Sequence, residues 1–102
     1  FLAMRGMAKI MNVIHIIQER LNPGLKVGGI IITQYDQRKT LNKSVSDLIK
    51  DSFCDQVFKT IIRDNVSLAE APIKGQNIYE YNKNSNGAKD YMELAKEVLK
   101  LK

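Results

Sequence analysis

Two short β-branched runs bracket an amphipathic helical pattern, and few folds accommodate that arrangement. Val27 to Thr33 is one nearly continuous apolar run, and Val57-Phe58-Lys59-Thr60-Ile61-Ile62 is the other. Continuous rather than alternating apolar character is the mark of a strand covered on both faces, as in a parallel sheet. Between the runs, Leu41, Val45, Leu48, Ile49 and Phe53 recur at helical spacing, and Thr40 stands where an N-cap belongs. Strand, helix and strand together span Val27 to Ile62, the size of one βαβ unit. Parallel strands would bring Thr33 and Ile62 to the same edge of the sheet. Gly28 and Gly29 open the first run and mark a close backbone approach there.

The flanks extend the same architecture. Met7, Ile10, Ile14, Ile17 and Leu21 form one apolar stripe, predicting a helix from about residue 3 to 21. Asn22-Pro23-Gly24 ends it, because proline disfavours helical geometry in the residue before it. Arg63 to Lys83 is polar and turn-rich, with a short helical turn expected at Val66 to Ala69 and a brief extended piece at Ile78-Tyr79-Glu80-Tyr81. Ser85 then caps a last helix, with Ala88, Tyr91, Met92, Ala95, Val98 and Leu99 expected to face inward. The fold class is α/β, one unit over residues 1–102. Two strands alone make a poor sheet, so the Val27–Thr33 strand calls for another strand or a second chain beside it.

Bulk properties narrow the function. At 102 residues the chain makes one small domain, and 44% hydrophobic residues argue against disorder. The longest apolar runs are too short to span a bilayer, and no basic stretch precedes an apolar core as in a signal peptide. The first residue is Phe1 rather than Met, which fits an excised or processed piece. Cys54 is the single cysteine, read as a small apolar residue at a helix end. With the single His15 it makes no zinc pattern, so no metal site and a reducing, cytoplasmic setting are expected. His15 reads as a structural or surface residue. The net charge of +5 is uneven: residues 1–51 carry eight basic and four acidic side chains, residues 52–102 eight and seven. Arg38, Lys39, Lys43 and Lys50 cluster around Asp47 alone. Such a patch suits a polyanion or is a solvated helix face.

No G-x-x-x-x-G-K-[ST] loop is present to cradle phosphates, and no strand ends in a carboxylate placed to hold magnesium. The chain offers no catalytic constellation of its own. What it does offer is a series of blocks. Leu21-Asn22-Pro23 is followed by Thr33-Gln34-Tyr35-Asp36-Gln37-Arg38, then Asn65-Val66-Ser67-Leu68-Ala69-Glu70-Ala71-Pro72, then Gly75, and then Ser85, Gly87-Ala88 and Tyr91. In order and spacing these resemble the C-terminal half of ParA/Soj-type partition ATPases, with their patterns T-x-Y-D-x-R, N-V-x-L-x-E-A-P and S-x-G-A-x-x-Y. Phe1-Leu2-Ala3-Met4-Arg5-Gly6 is similar to the segment that enters the family's first helix of this half.

The resemblance implies a three-layer, P-loop-NTPase-like fold of the deviant Walker A class, with the phosphate-binding and magnesium-binding motifs upstream of this chain. It implies that Thr33 and the segment Ile62-Arg63-Asp64-Asn65 line the adenine side of a nucleotide site. Ligands of parallel sheets sit at the carboxyl ends of strands, which agrees. A plain β-branched strand end is the rival reading of Thr33. Many relatives have Pro-Arg before the asparagine where this chain has Arg63-Asp64. The resemblance also implies DNA binding without sequence preference. Arg38 matches a DNA-contacting arginine, and Lys39, Lys43 and Lys50 extend its patch. A second basic position of the family is Ser67 here. The rival for Arg38 is an internal ion pair with Asp36 or Asp47.

The expected function is therefore the C-terminal part of an ATPase for chromosome or plasmid partitioning. The parent would use ATP and magnesium, form a homodimer, coat the nucleoid and respond to a ParB-like partner. This chain alone would hydrolyse no ATP. Two alternatives stand beside it: a small basic nucleic-acid-binding or interaction module without nucleotide, and a division-site-positioning ATPase of the same class. The last helix lacks an added aromatic anchor, so its apolar face reads as core rather than as a membrane anchor.

Overall fold

The computed structural model describes residues 2–101; Phe1, which opens one of the resembling segments, and Lys102 lie outside them. The order is α1 (Leu2–Arg20), β1 (Ile30–Tyr35), α2 (Thr40–Phe53), a 3-10 turn (Cys54–Gln56), β2 (Val57–Arg63), α3 (Val66–Ile73), α4 (Ile78–Asn82) and α5 (Asn86–Leu99). β1 and β2 pair in parallel, with α2 as the crossover, so the βαβ unit is present as expected.

The first strand begins three residues later than expected and runs two further. Gly28 and Gly29 supply no side chains to pair, and a Cβ on Gly29 would overlap the Phe58 ring, so the chain runs close against β2 before pairing begins. The register is uneven. Ile30 pairs with Val57, Ile32 with Ile61, and Tyr35 with Arg63. β2 thus carries two extra residues in the first interval and β1 one extra in the second. The β1 irregularity contains Gln34, the one non-glycine residue with positive φ among those described, at 53°. Bulges of this kind re-aim side chains near functional sites.

The buried apolar centre is small: Ile49, Ile62, Ala71, Ala88 and Leu94. Several expected core faces are only partly covered. Ile10 on α1 and Leu21 just past its end are exposed although they belong to the apolar stripe. On α2, Ser46 and Ile49 are buried while Leu48 is exposed and Leu41 is 62% exposed. Leu41 borders a depression of about 390 Å³ that touches all six residues of β1, with Met7 and the α2 residues Val45 and Ile49. Successive strand side chains alternate between faces, so a hollow touching all six runs along the strand's unpaired edge.

Four local expectations are corrected or sharpened. Thr40 is the first residue of α2, not its cap; the cap position is Lys39, with no side-chain capping bond. The preceding loop is held by Asp36 instead: its Oδ1 accepts the Arg38 backbone N–H at 3.0 Å, and its own N–H donates to Asn42 Oδ1 at 3.0 Å. Residues Ile78 to Tyr81 are helical, not extended. Asn77 Oδ1 accepts from the Glu80 N–H and Glu80 Oε1 accepts from the Asn77 N–H, a capping box that outweighs the β propensity of the two tyrosines. The helical turn at Val66 continues to Ile73. Ser85 does cap α5, its Oγ accepting from the Ala88 N–H at 3.1 Å.

The largest correction concerns α5. Its inward face is Gly87, Ala88, Asp90 and Leu94, whereas Tyr91, Met92, Ala95, Val98 and Leu99 are exposed. The helix lies on β2 through carboxylates. Glu97 accepts the backbone N–H groups of Lys59 and Thr60 at 2.7 and 2.9 Å and the Thr60 hydroxyl at 2.7 Å. Those N–H groups sit within the β2 irregularity. Gly87 permits the approach to α3, since a Cβ there would overlap Leu68.

Candidate nucleotide site and basic surface

Thr33 and Ile62-Arg63-Asp64-Asn65 come together. They line one depression of about 280 Å³ at the carboxyl ends of β1 and β2, together with Gln34 and residues of α3 and α5. The local sequence explains this. The Asp64 N–H donates to Tyr35 O at 2.9 Å, extending the ladder just past the strand ends. Asn65 then turns the chain into α3 as its N-cap residue, with extended backbone.

The loop is tied from outside by an ion pair. The Arg63 guanidinium meets Asp90 at 2.8 Å, and the Arg63 backbone N–H donates to Asp90 Oδ2 at 2.9 Å. Asp90 is buried, at 8% exposure. Burial pushes its carboxyl up, but the hydrogen bonds and charge of Arg63 outweigh this, and the net shift is below the usual carboxylate range. Glu97 behaves alike: burial raises it, and the bonds from Thr60 and Lys59 bring it down overall. Neither acid was a site candidate in the sequence. Their seven-residue spacing, two helical turns, was the available signal.

Asn65 Oδ1 is buried and has no hydrogen-bond partner. An asparagine at an N-cap ordinarily accepts a first-turn N–H; here that bond is not made. Nothing in these residues would cradle phosphates or hold magnesium.

The basic candidates occupy the neighbouring surface. Arg38, Lys39, Lys43 and Lys50 are all exposed. Lys39, Lys43 and Lys50, spaced by four and seven residues, lie along one side of α2. Arg38 also forms the ion pair expected as its rival role: Nε is 3.1 Å from Asp36 Oδ1, and Nη2 is 3.1 Å from Oδ2. Its hydrogen bond and charge hold Asp36 below the usual carboxylate range. The guanidinium stays open to solvent, with 90% of its side chain exposed. His15 is a surface residue bonded to Glu19 at 3.1 Å, and Cys54 is exposed just after α2. Among the described residues no helix is long and apolar enough to cross a membrane.

Comparison with known proteins places this geometry. Residues 5–78 match the family model described as the CobQ/CobB/MinD/ParA nucleotide binding domain, a P-loop NTPase fold. The chain is 39% identical over 98 residues to the sporulation initiation inhibitor protein Soj of Bacillus subtilis, covering 96% of this chain and 39% of that protein. It is 33% identical over 99 residues to the chromosome partitioning protein ParA of Caulobacter vibrioides, covering 97% and 37%. It is 37% identical over 99 residues to the chromosome-partitioning ATPase Soj of Treponema pallidum, covering 97% and 39%. The chain therefore spans well under half the length of these relatives. With two parallel strands, a crossover helix and a hollow at their carboxyl ends, this chain belongs to the CobQ/CobB/MinD/ParA nucleotide-binding domain family.

Proposed function

We propose that this chain is the C-terminal portion of a ParA/Soj-like partitioning ATPase and supplies two surfaces to it. One is the adenine-side wall of the nucleotide site, made by Thr33 and Ile62 to Asn65. The other is a DNA surface without sequence preference, made by Arg38, Lys39, Lys43 and Lys50. The observation that carries the reading is the meeting of Thr33 and the 62–65 segment around one hollow at the carboxyl ends of parallel strands.

The open edge of β1 supports the rest. The hollow along it touches all six β1 residues, on the side where a further strand would pair. In this reading the missing part of the domain fills it and brings the phosphate loop and the magnesium ligands. ATP then joins two protomers, and the dimer presents paired basic surfaces to the nucleoid until a ParB-like partner stimulates hydrolysis. Exposed cations suit this, because phosphate contacts sum electrostatically and carry little sequence information.

The test is direct. The reading frame upstream of Phe1 should encode a lysine-bearing glycine loop. The full-length product should bind DNA of any sequence far more tightly with ATP than without. An unrelated upstream sequence, or nucleotide-independent DNA binding, would sink the proposal.

A further inference from the structure

One wall of the 280 Å³ hollow comes from an element that the sequence placed in the core. Tyr91 of α5 lines it opposite the ends of β1 and β2. Three observations converge here. Tyr91 is 40% exposed, although its neighbour Asp90 is buried, and among the described residues its hydroxyl has no hydrogen-bond partner. Asn65, also in the lining, makes no side-chain cap bond to α3 and has an unpartnered, covered Oδ1. Gln34, also in the lining, holds a left-handed backbone at φ 53°. Such conformations in non-glycine residues gather at ligand clamps.

The position of Tyr91 is fixed from both sides. Asp90, the residue before it, is bound to Arg63 through the guanidinium and the backbone N–H. One turn earlier, Gly87 sits against Leu68 of α3, which itself lines the hollow. An aromatic ring held at the rim of a hollow is the arrangement that receives the face of a flat heterocycle.

We propose that Tyr91 is a base-contacting residue, giving its ring to the face of the nucleotide's purine. The proposal rests on the nucleotide reading above and deepens it. Apolar burial alone does not account for the placement, since Met92 and Leu99, on another side of α5, are exposed without lining this hollow.

The experiment uses the full-length protein saturated with the triphosphate of 2-aminopurine riboside, whose fluorescence is quenched when its base stacks on an aromatic ring. Emission should be quenched in the unsubstituted protein and in Tyr91→Phe. It should recover at saturation in Tyr91→Ala and Tyr91→Leu, while ATP affinity falls roughly tenfold in both. Tyr91→Leu keeps apolar bulk without a ring, so it carries the comparison if Tyr91→Ala does not fold. Emission that is unquenched in the unsubstituted protein, or equal in all four proteins, overturns the role of Tyr91. Failure of the unsubstituted protein to bind any nucleotide overturns the nucleotide reading itself.

Discussion

Arg63 and Asp90 join the end of β2 to the first turns of α5 through both backbone and side chain. Asp90 Oδ2 accepts the Arg63 backbone N–H at 2.9 Å, and Asp90 Oδ1 takes the Arg63 Nη2 at 2.8 Å. A single buried carboxylate thus fixes the loop that borders the candidate nucleotide site.

Replacing Asp90 by Asn removes the charge but keeps one acceptor oxygen. Because Arg63 is 39% exposed, water rescues part of the loss. The expected cost is about 1–3 kcal/mol of stability, read from urea unfolding. Asp90→Ala should cost more, since the Arg63 N–H then loses its partner altogether. No loss in either variant would show that the pair is incidental.

Asp90 and Glu97 both have folded-state pKa values below the ordinary carboxylate value. Their contribution is therefore fully present above the unfolded pKa, about 4, and is lost as pH falls through the folded values. Stability should hold from pH 7 to about 5 and then drop towards pH 3. Glu97→Gln should flatten that acid limb, because the amide does not titrate. Unfolding midpoints across this range give the answer, and an unchanged limb in Glu97→Gln would contradict the assignment.

Gly87→Ala tests the contact between α5 and α3. Alanine is the better helix former by about 1 kcal/mol, but its Cβ would overlap Leu68. Overpacking should win, for a net loss of about 1–2 kcal/mol. Gly28→Ala is the control, since a Cβ there meets nothing within 4 Å. Equal stability for both variants would mean that Leu68 moves aside freely.

Arg38→Glu in the full-length protein with ATP should weaken DNA binding at all sequences alike, with the salt slope falling by roughly one unit. Arg38 also binds Asp36, so a charge-neutral variant is needed beside it. Arg38→Gln and the triple Lys39, Lys43 and Lys50 to Ala variant should each weaken binding without changing sequence preference. If ATP-dependent dimers form normally and affinity is unchanged, Arg38 serves Asp36 and the loop, not DNA.

Purified as it stands, this chain should show no ATP turnover above background, because its residues include no phosphate-cradling loop and no magnesium ligand set. Turnover that follows the protein through successive purification steps would require another phosphate site within these 102 residues.

Much of the fold was legible from local pattern. The two β-branched runs, the helix between them, the Ser85 cap and the Asn22-Pro23 stop are written in neighbouring residues, and each appears in the structure. The α4 capping box was equally local, in Asn77 and Glu80, but the β-forming Tyr79 and Tyr81 masked it. The meeting of Thr33 with Ile62 to Asn65 followed from topology, because parallel strands must end on the same side.

What only the tertiary structure decided is which face of each helix turns inward. Periodicity finds an apolar stripe, but it cannot say whether a strand, a carboxylate contact or open space lies beneath it. On α5 the unpaired N–H groups of β2 had to be satisfied. Asp90 and Glu97 satisfy them, and so the helix is rotated with its acids inward, Tyr91 at the rim of the hollow and Leu99 67% exposed. On α1 and α2 the apolar residues Ile10 and Leu41 stay 61% and 62% exposed. Sequence determined which segments are strands and helices. Hydrogen-bond demand at a strand edge, a non-local quantity, determined how those segments face one another and hence what lines the site.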